Sequence, residues 1–155
     1  MAKLQKLHTL PKDEKMLRSA NQEIKFPLSL EIKNLIADML LTVKKAPGIG
    51  LAAPQVGANL MLAVINLADF GIKPFVLANP KIVSKSIKKS VTEEGCLSIP
   101  GVFGKVKRPA KVEVEGTRQD GMKIIIKAEG LLAKVLQHEI DHLNGVLIID
   151  KLIKV

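Results

Sequence analysis

Residues 131–143 read LLAKVLQHEIDHL, and whether this stretch is helical decides both the fold and the chemistry of the chain. Leu132, Val135, Leu136 and Leu143 recur at helical steps and give the segment one apolar face. Asn144-Gly145 follows as a natural C-cap. Within such a helix His138 and His142, four residues apart, lie one turn apart on a common face. Both imidazoles can then meet one ion while Glu139 reaches the water beside it, which is the mechanical content of an HExxH pattern. A second reading of the pentapeptide stays open. Two histidines at this spacing can simply be partly buried and hydrogen-bonded.

Upstream of the helix the texture is that of strands. LMLAVIN (60–66) and PFVLANP (74–80) are short apolar runs with turn residues at their edges. KVEVEG (111–116) alternates apolar with charged residues, IIIKA (124–128) is rich in β-branched residues, and Asp120-Gly121 between them predicts a hairpin. Earlier still, Ile32, Leu35, Ile36, Met39, Leu40 and Val43 predict a helix with Ser29 as N-cap and Glu31 in its first turn, ended by APGIG (46–50). The first ~25 residues read as irregular, with Pro11 and Pro27 as breakers. One helix before several strands and one after predicts a single α+β domain over residues 1–155.

Composition bounds the function. With 47% hydrophobic and 25% charged residues this is a folded globular chain. No apolar run reaches the ~18 residues of a membrane helix, and MAKLQKLHTLPKDEKML lacks the apolar core of a secretory signal. The single cysteine, Cys96, forbids an internal disulfide, so a reducing compartment such as the cytoplasm is expected. The net charge of +9 favours an anionic neighbourhood, RNA or a ribosome surface among them. Yet only Arg18, Arg108 and Arg118 carry the planar fork that clamps phosphate, and aromatics are 3% with no Trp or Tyr. Specific nucleic-acid binding is therefore not expected. Lys81, Lys85, Lys88 and Lys89 suit the guarding of a sheet edge better than the reading of phosphate.

A catalytic divalent site takes three protein ligands and leaves a position for water. Only 13 residues follow His142, with no histidine or glutamate among them and Asp150 as the one acid. A further histidine six positions on is ruled out, because residue 148 is Ile. Upstream the candidates are His8 and Cys96. A lone cysteine is commonly a small buried hydrophobe, but TEEGCLSIP gives Cys96 a turn-like setting beside a glycine that admits another backbone.

Three segments, GIGLAAPQ (48–55), EGCLS (94–98) and QHEIDH (137–142), resemble the signature motifs of the peptide deformylases, in that family's order and at roughly its separations. The resemblance covers about residues 5–150. It implies antiparallel sheets packed around a central helix that carries HEIDH, and one metal held by Cys96, His138 and His142. It implies an enzyme that hydrolyses the formyl amide of formylmethionine on newly made polypeptides and releases formate. Glu139 would move the proton, and the Gln55 carboxamide and the Leu97 N–H would hold the oxyanion. Substrate main chain would lie against Ile49, Gly50 and Gly95, and the methionine side chain against Ile49, Leu131 and Val135, each of which could equally serve the core. Glu94 and Arg108 would form a supporting ion pair under the EGCLS loop, with Asp141 nearby.

The donor set alone reads as zinc. The resemblance favours iron(II), with nickel, cobalt or zinc as substitutes. It also implies work in the cytoplasm or an organelle matrix, with transient ribosome association. The basic C-terminal helix that some relatives use to dock is not seen after IIDKLIKV (148–155). Lys134 within the apolar helix and Phe103 in GVFGK depart from the common pattern. The rival expectations are a metallopeptidase of another specificity and a catalytically silent ribosome-associated relative.

Overall fold

The computed structural model describes residues 1–46 and 48–153. After a short helix, α1 (Glu14–Arg18), comes α2 (Leu30–Lys45) and then strands β1 (Gly50–Ala52), β2 (Leu62–Ile65), β3 (Phe75–Lys85), β4 (Lys89–Cys96), β5 (Ile99–Pro109), β6 (Lys111–Thr117) and β7 (Lys123–Glu129), followed by α3 (Gly130–Leu143). Five strands form one antiparallel sheet in the order β1-β2-β3-β6-β7. The other two, β4 and β5, fold away from it as a separate antiparallel ribbon.

Burial explains the strand textures. Leu62 and Val64 of β2 pack into the cluster beneath α2, while Ile65 joins the cluster beneath α3 and Ala63 meets Leu143. A strand covered on both faces has no polar side, so its sequence cannot alternate. In β6, Val112 and Val114 face α3 while Lys111 and Glu115 face outward, and here the sequence alternates as a half-covered strand must. Arg118–Met122 closes the expected β6–β7 hairpin: Gly121 has φ +88°, and the Asp120 carboxylate accepts the Met122 N–H at 3.0 Å. β3 runs on past the end of β2, which leaves Lys81 and Lys85 on its extension, paired with β6.

The α2 helix begins and ends where the sequence signals place it, and α3 ends at its expected cap. The Ser29 hydroxyl accepts the Ile32 N–H at 3.2 Å, and α2 closes at Ala46, whose N–H donates to Thr42. Pro47, expected to help stop α2, lies outside the described residues. Asn144 caps α3, and Gly145 follows at φ +75°. The N-terminal expectation is corrected in one respect: Glu14–Arg18 is helical, with Arg18 and Glu14 paired one turn apart at 3.1 Å.

The α3 helix is the axis of the molecule. Ala133, Leu136 and Ile140 bury one side against the sheet, each large aliphatic chain contributing about 1.5–3 kcal/mol. Its other side meets the β4–β5 ribbon through polar contacts: Lys134 to Glu93, Gln137 to Pro109, His138 to Glu94, Asp141 to Arg108 and His142 to Cys96. The helix is thus held between an apolar floor and a polar wall. No helix among the described residues is long and apolar enough to cross a membrane.

Candidate metal centre and active site

The two-residue turn Leu97-Ser98 joins β4 to β5 and brings Cys96 against α3. Its thiol Sγ lies 3.1 Å from His142 Nε2. One ligand atom from each of Cys96, His138 and His142 falls within 4.8 Å of the others. His138 turns its Nδ1 to Glu94 Oε1 at 3.2 Å, which leaves its Nε2 for the shared point. Carboxylate-buttressed imidazoles of this kind are the usual way a protein fixes the orientation of a histidine ligand. His142 Nδ1 and Glu139 Oε1 are buried without a hydrogen-bond partner.

Neither alternative third ligand comes near. His8 packs against Gly57, and the Asp150 carboxylate is engaged by Arg18 and by the Leu147 N–H.

Gln55 sits on the 3₁₀ turn Ala53–Val56 and is fully buried. Its Oε1 accepts the Ala52 N–H at 2.9 Å, which aims its Nε2 at Ser98 Oγ (3.0 Å) and towards Cys96 Sγ (3.7 Å). Ser98 also donates its N–H to the sulfur at 3.4 Å. On the opposite wall, the Glu139 carboxylate lies so close to Gly50 that a Cβ there would come within 2.5 Å of Glu139 Oε2. A side chain at position 50 would displace that carboxylate. Glycine is required.

Beneath the centre lies an ionic network. Arg108 holds Glu94 with a two-pronged grip at 2.6 and 2.8 Å and reaches Asp141 at 2.8 Å. The Thr92 hydroxyl donates to Glu94 at 2.7 Å, and Lys151 meets Asp141 at 3.2 Å. Burial alone would raise the Glu94 carboxyl. The donors from Arg108, His138 and Thr92 overcome it and hold that group well below the carboxylate range.

Titration behaviour at the centre divides by position. Burial pushes Glu139 up to about 7, against the pull of His138. Burial also drives His142 well below its ordinary value, and repulsion from His138 and Arg108 acts in the same direction. At His138 burial opposes the charged ring, yet Glu139, Cys96 and Glu94 raise it to about 10. One thiol and two imidazoles converging on one point are a donor set that suits a divalent cation. A cation fits there.

A cleft of about 640 Å³ opens onto the centre, lined by Gly48, Ile49, Gly50, Gln55, Glu94, Gly95, Cys96, Leu97, Val135, His138 and Glu139 among others. A larger hollow of about 890 Å³ near Arg18 and Lys81 contains no such set of donors. Of the substrate-contacting residues expected from sequence, Leu131 alone does not line the cleft; it packs against the cluster between α3 and the sheet. Phe103 and Lys134 do line it. The Phe103 ring covers the face of Gly95, and Lys134 Nζ is tied to the Glu93 carbonyl at 2.6 Å. Ser98 and Thr92 escaped the sequence reading. Short hydroxyl residues give no periodic signal, and only the place of Ser98 within EGCLS, and of Thr92 two residues before it, could have marked them.

A family model described as polypeptide deformylase matches residues 5–155. The chain is 50% identical over 129 residues to a peptide deformylase of Rhizobium meliloti, covering 82% of this chain and 74% of that one. Among solved structures it is similar to a peptide deformylase of Synechococcus elongatus in complex with actinonin, with TM-score 0.90 and 43% identity, covering 99% of this chain and 82% of that one. A peptide deformylase of Thermotoga maritima is similar at TM-score 0.89 and 35% identity, covering 98% and 99%.

Proposed function

The chain belongs to the polypeptide deformylase family, and from that premise we propose how its own residues remove the N-terminal formyl group of formylmethionine and release formate. The chain is a metal-dependent amide hydrolase acting on new polypeptides. Cys96, His138 and His142 hold the cation. The chemistry a divalent cation supplies when bound is Lewis acidity, which makes water nucleophilic at neutral pH.

Glu139 takes the proton from the attacking water and delivers it to the amine as the carbon–nitrogen bond breaks. A carboxyl raised to about 7 by burial is poised for both transfers, since a general acid–base works best with a pKa near the operating pH. The Gln55 carboxamide and the Leu97 N–H stabilise the oxyanion as it develops. Support for Gln55 comes from the Ala52 contact, which fixes its donor end towards the centre before any substrate arrives.

Substrate main chain runs along Ile49, Gly50 and Gly95, with Ile49 and Val135 taking the methionine side chain; all four line the cleft. As the edge strand, β1 offers a side on which a peptide can add as a further strand. Leu131 drops out of this set. We assign iron(II) as the native ion on family resemblance, with zinc, nickel or cobalt as substitutes that a thiolate and two imidazoles also accept. Residues 1–155 act as one catalytic domain, in the cytoplasm or an organelle matrix where formylated chains are made. The charge of +9 suits transient contact with a ribosome.

The observation that carries this reading is the convergence of one thiol and two imidazoles beside a buried carboxylate in an open cleft. Protein purified without oxygen should release formate from a formyl-Met peptide and leave unformylated peptides intact. Glu139→Gln should keep its metal and lose ~10²–10⁴-fold in kcat. Near-wild-type turnover in that variant would remove Glu139 from the mechanism. Internal cleavage would point instead to a metallopeptidase, and full metal occupancy without formate to a silent relative.

A further inference from the structure

The irregular N-terminal segment makes three consecutive backbone contacts that alternate in direction. His8 donates its N–H to the Gln55 carbonyl at 2.8 Å, Thr9 donates to the Asp13 carboxylate at 2.8 Å, and Leu10 donates to the Ser98 carbonyl at 2.9 Å. The first and third reach the two separate turns that furnish the centre's donors. Gln55 and Ser98 are also joined directly, Nε2 to Oγ at 3.0 Å. The four residues therefore close a ring: His8 to Gln55, Gln55 to Ser98, Ser98 to Leu10, and back along the chain.

We propose that residues 8–10 are a positioning rail for the reaction, fixing the separation between the Gln55 turn and the Leu97-Ser98 turn and so the aim of the two oxyanion donors. None of the rail's three backbone N–H bonds is made to a metal ligand. It acts through Gln55 and Ser98.

The rail is anchored at both ends. The buried Asp38 carboxylate of α2 accepts the Lys3 N–H at 2.9 Å and the Gln5 carboxamide at 2.8 Å, and Thr42 Oγ accepts the Gln5 N–H at 2.9 Å. Beyond it, Leu10 packs with Leu17, Ile99, Leu147 and Ile148. The His8 ring closes against Gly57 at the end of the Gln55 turn, so tightly that a Cβ at Gly57 would come within 2.9 Å of His8 Nε2. Oxyanion donors lose effect steeply when misplaced, and a shift of ~1 Å can cost ~10² in rate. A backbone strap that ties the two turns to one ruler prevents that shift.

The inference rests on the deformylase reading of Gln55 and Leu97, and its test separates the two. The full chain is made with an ester in place of a single amide, which deletes one N–H and leaves every side chain unchanged. An ester at Leu7–His8 removes the bond to Gln55, and an ester at Thr9–Leu10 removes the bond to Ser98. An ester at His8–Thr9 removes only the bond to Asp13 and serves as the control. The first two should lower kcat on a formyl-Met peptide about 10-fold with KM and metal content unchanged, and should shift the Gln55 carboxamide resonances. The control should lower thermal stability comparably and move neither kcat nor those resonances. Equal effects from all three, or falling melting temperatures with kcat and the Gln55 resonances untouched, would overturn the rail. If the unmodified chain released no formate, the functional reading would fail, while the Gln55 resonances would still decide whether the rail exists.

Discussion

Two arginines in this molecule do the same thing in different surroundings. Arg108 grips Glu94 with two prongs and reaches Asp141; Arg18 grips Asp150 with two prongs and reaches Glu14. The Arg108 and Glu94 side chains are 3% and 1% exposed, whereas those of Arg18 and Asp150 are 31% and 37% exposed. Burial makes the difference. The inner network cannot be re-solvated when a member is lost, and it bears directly on His138 through Glu94. The outer one staples α1 to the segment after α3, where water can replace either partner. Matching geometry thus yields a foundation for the centre in one place and a surface clasp in the other.

The largest effect should come from Arg108→Ala, which strands Glu94 and should cost about 3–5 kcal/mol of folding free energy. Chemical denaturation measures this, and metal analysis should show weakened loading because His138 loses its orienting partner. A variant that kept wild-type stability and loading would remove the distinction drawn here. Next, Arg108→Lys keeps the charge but not the fork, and should recover only part of the loss. Full recovery would mean that charge alone, not two-pronged geometry, supports Glu94.

Arg18→Ala should cost about 1 kcal/mol or less, with a cost that shrinks as salt is added. A salt-insensitive loss above 2 kcal/mol would place the outer network with the inner one. The smallest effect concerns acid. Arg18 holds the Asp150 carboxyl below its ordinary 3.8. A lowered folded-state pKa contributes stability that is fully present above the unfolded value and is lost as pH falls through the folded one. The gap in melting temperature between wild type and Arg18→Ala should therefore persist at neutral pH and close in acid below 3.8. A gap that widened there would reverse the assignment.

Much of this architecture was legible in the amino-acid order because some elements carry redundant signals. The α2 helix has a period, a cap and a stop that agree, α3 has a period and the Asn144-Gly145 C-cap, and the β6–β7 hairpin has alternation plus Asp120-Gly121. The β4–β5 ribbon was not legible as two strands. Its residues are lysine-rich, broken by Pro100, Gly101 and Gly104, and its register slips where Cys96 pairs with Ile99 after Gly95 has paired with Phe103. That slip frees Pro100, Gly101 and Val102 to bulge beside the cleft, so the irregularity belongs to the site.

The donor set could be named from HEIDH and EGCLS, and the Glu94–Arg108 pair beneath it could be expected, while its other supports could not. The placement of Thr92 and Ser98, and the backbone contacts of His8 and Leu10, depend on long-range closure that leaves no local pattern. Leu131 shows the converse. A residue of the right type, one turn from Val135, packs half-buried against the cluster that Val135 also joins, yet only Val135 reaches the cleft.

Everything above depends on a cation meeting one sulfur and two ring nitrogens. X-ray absorption on oxygen-free protein reads that shell directly. It should show a single sulfur scatterer near ~2.3 Å with nitrogen scatterers near ~2.0–2.1 Å, by analogy with zinc. A shell of nitrogen and oxygen alone, unchanged in Cys96→Ser, would contradict the account.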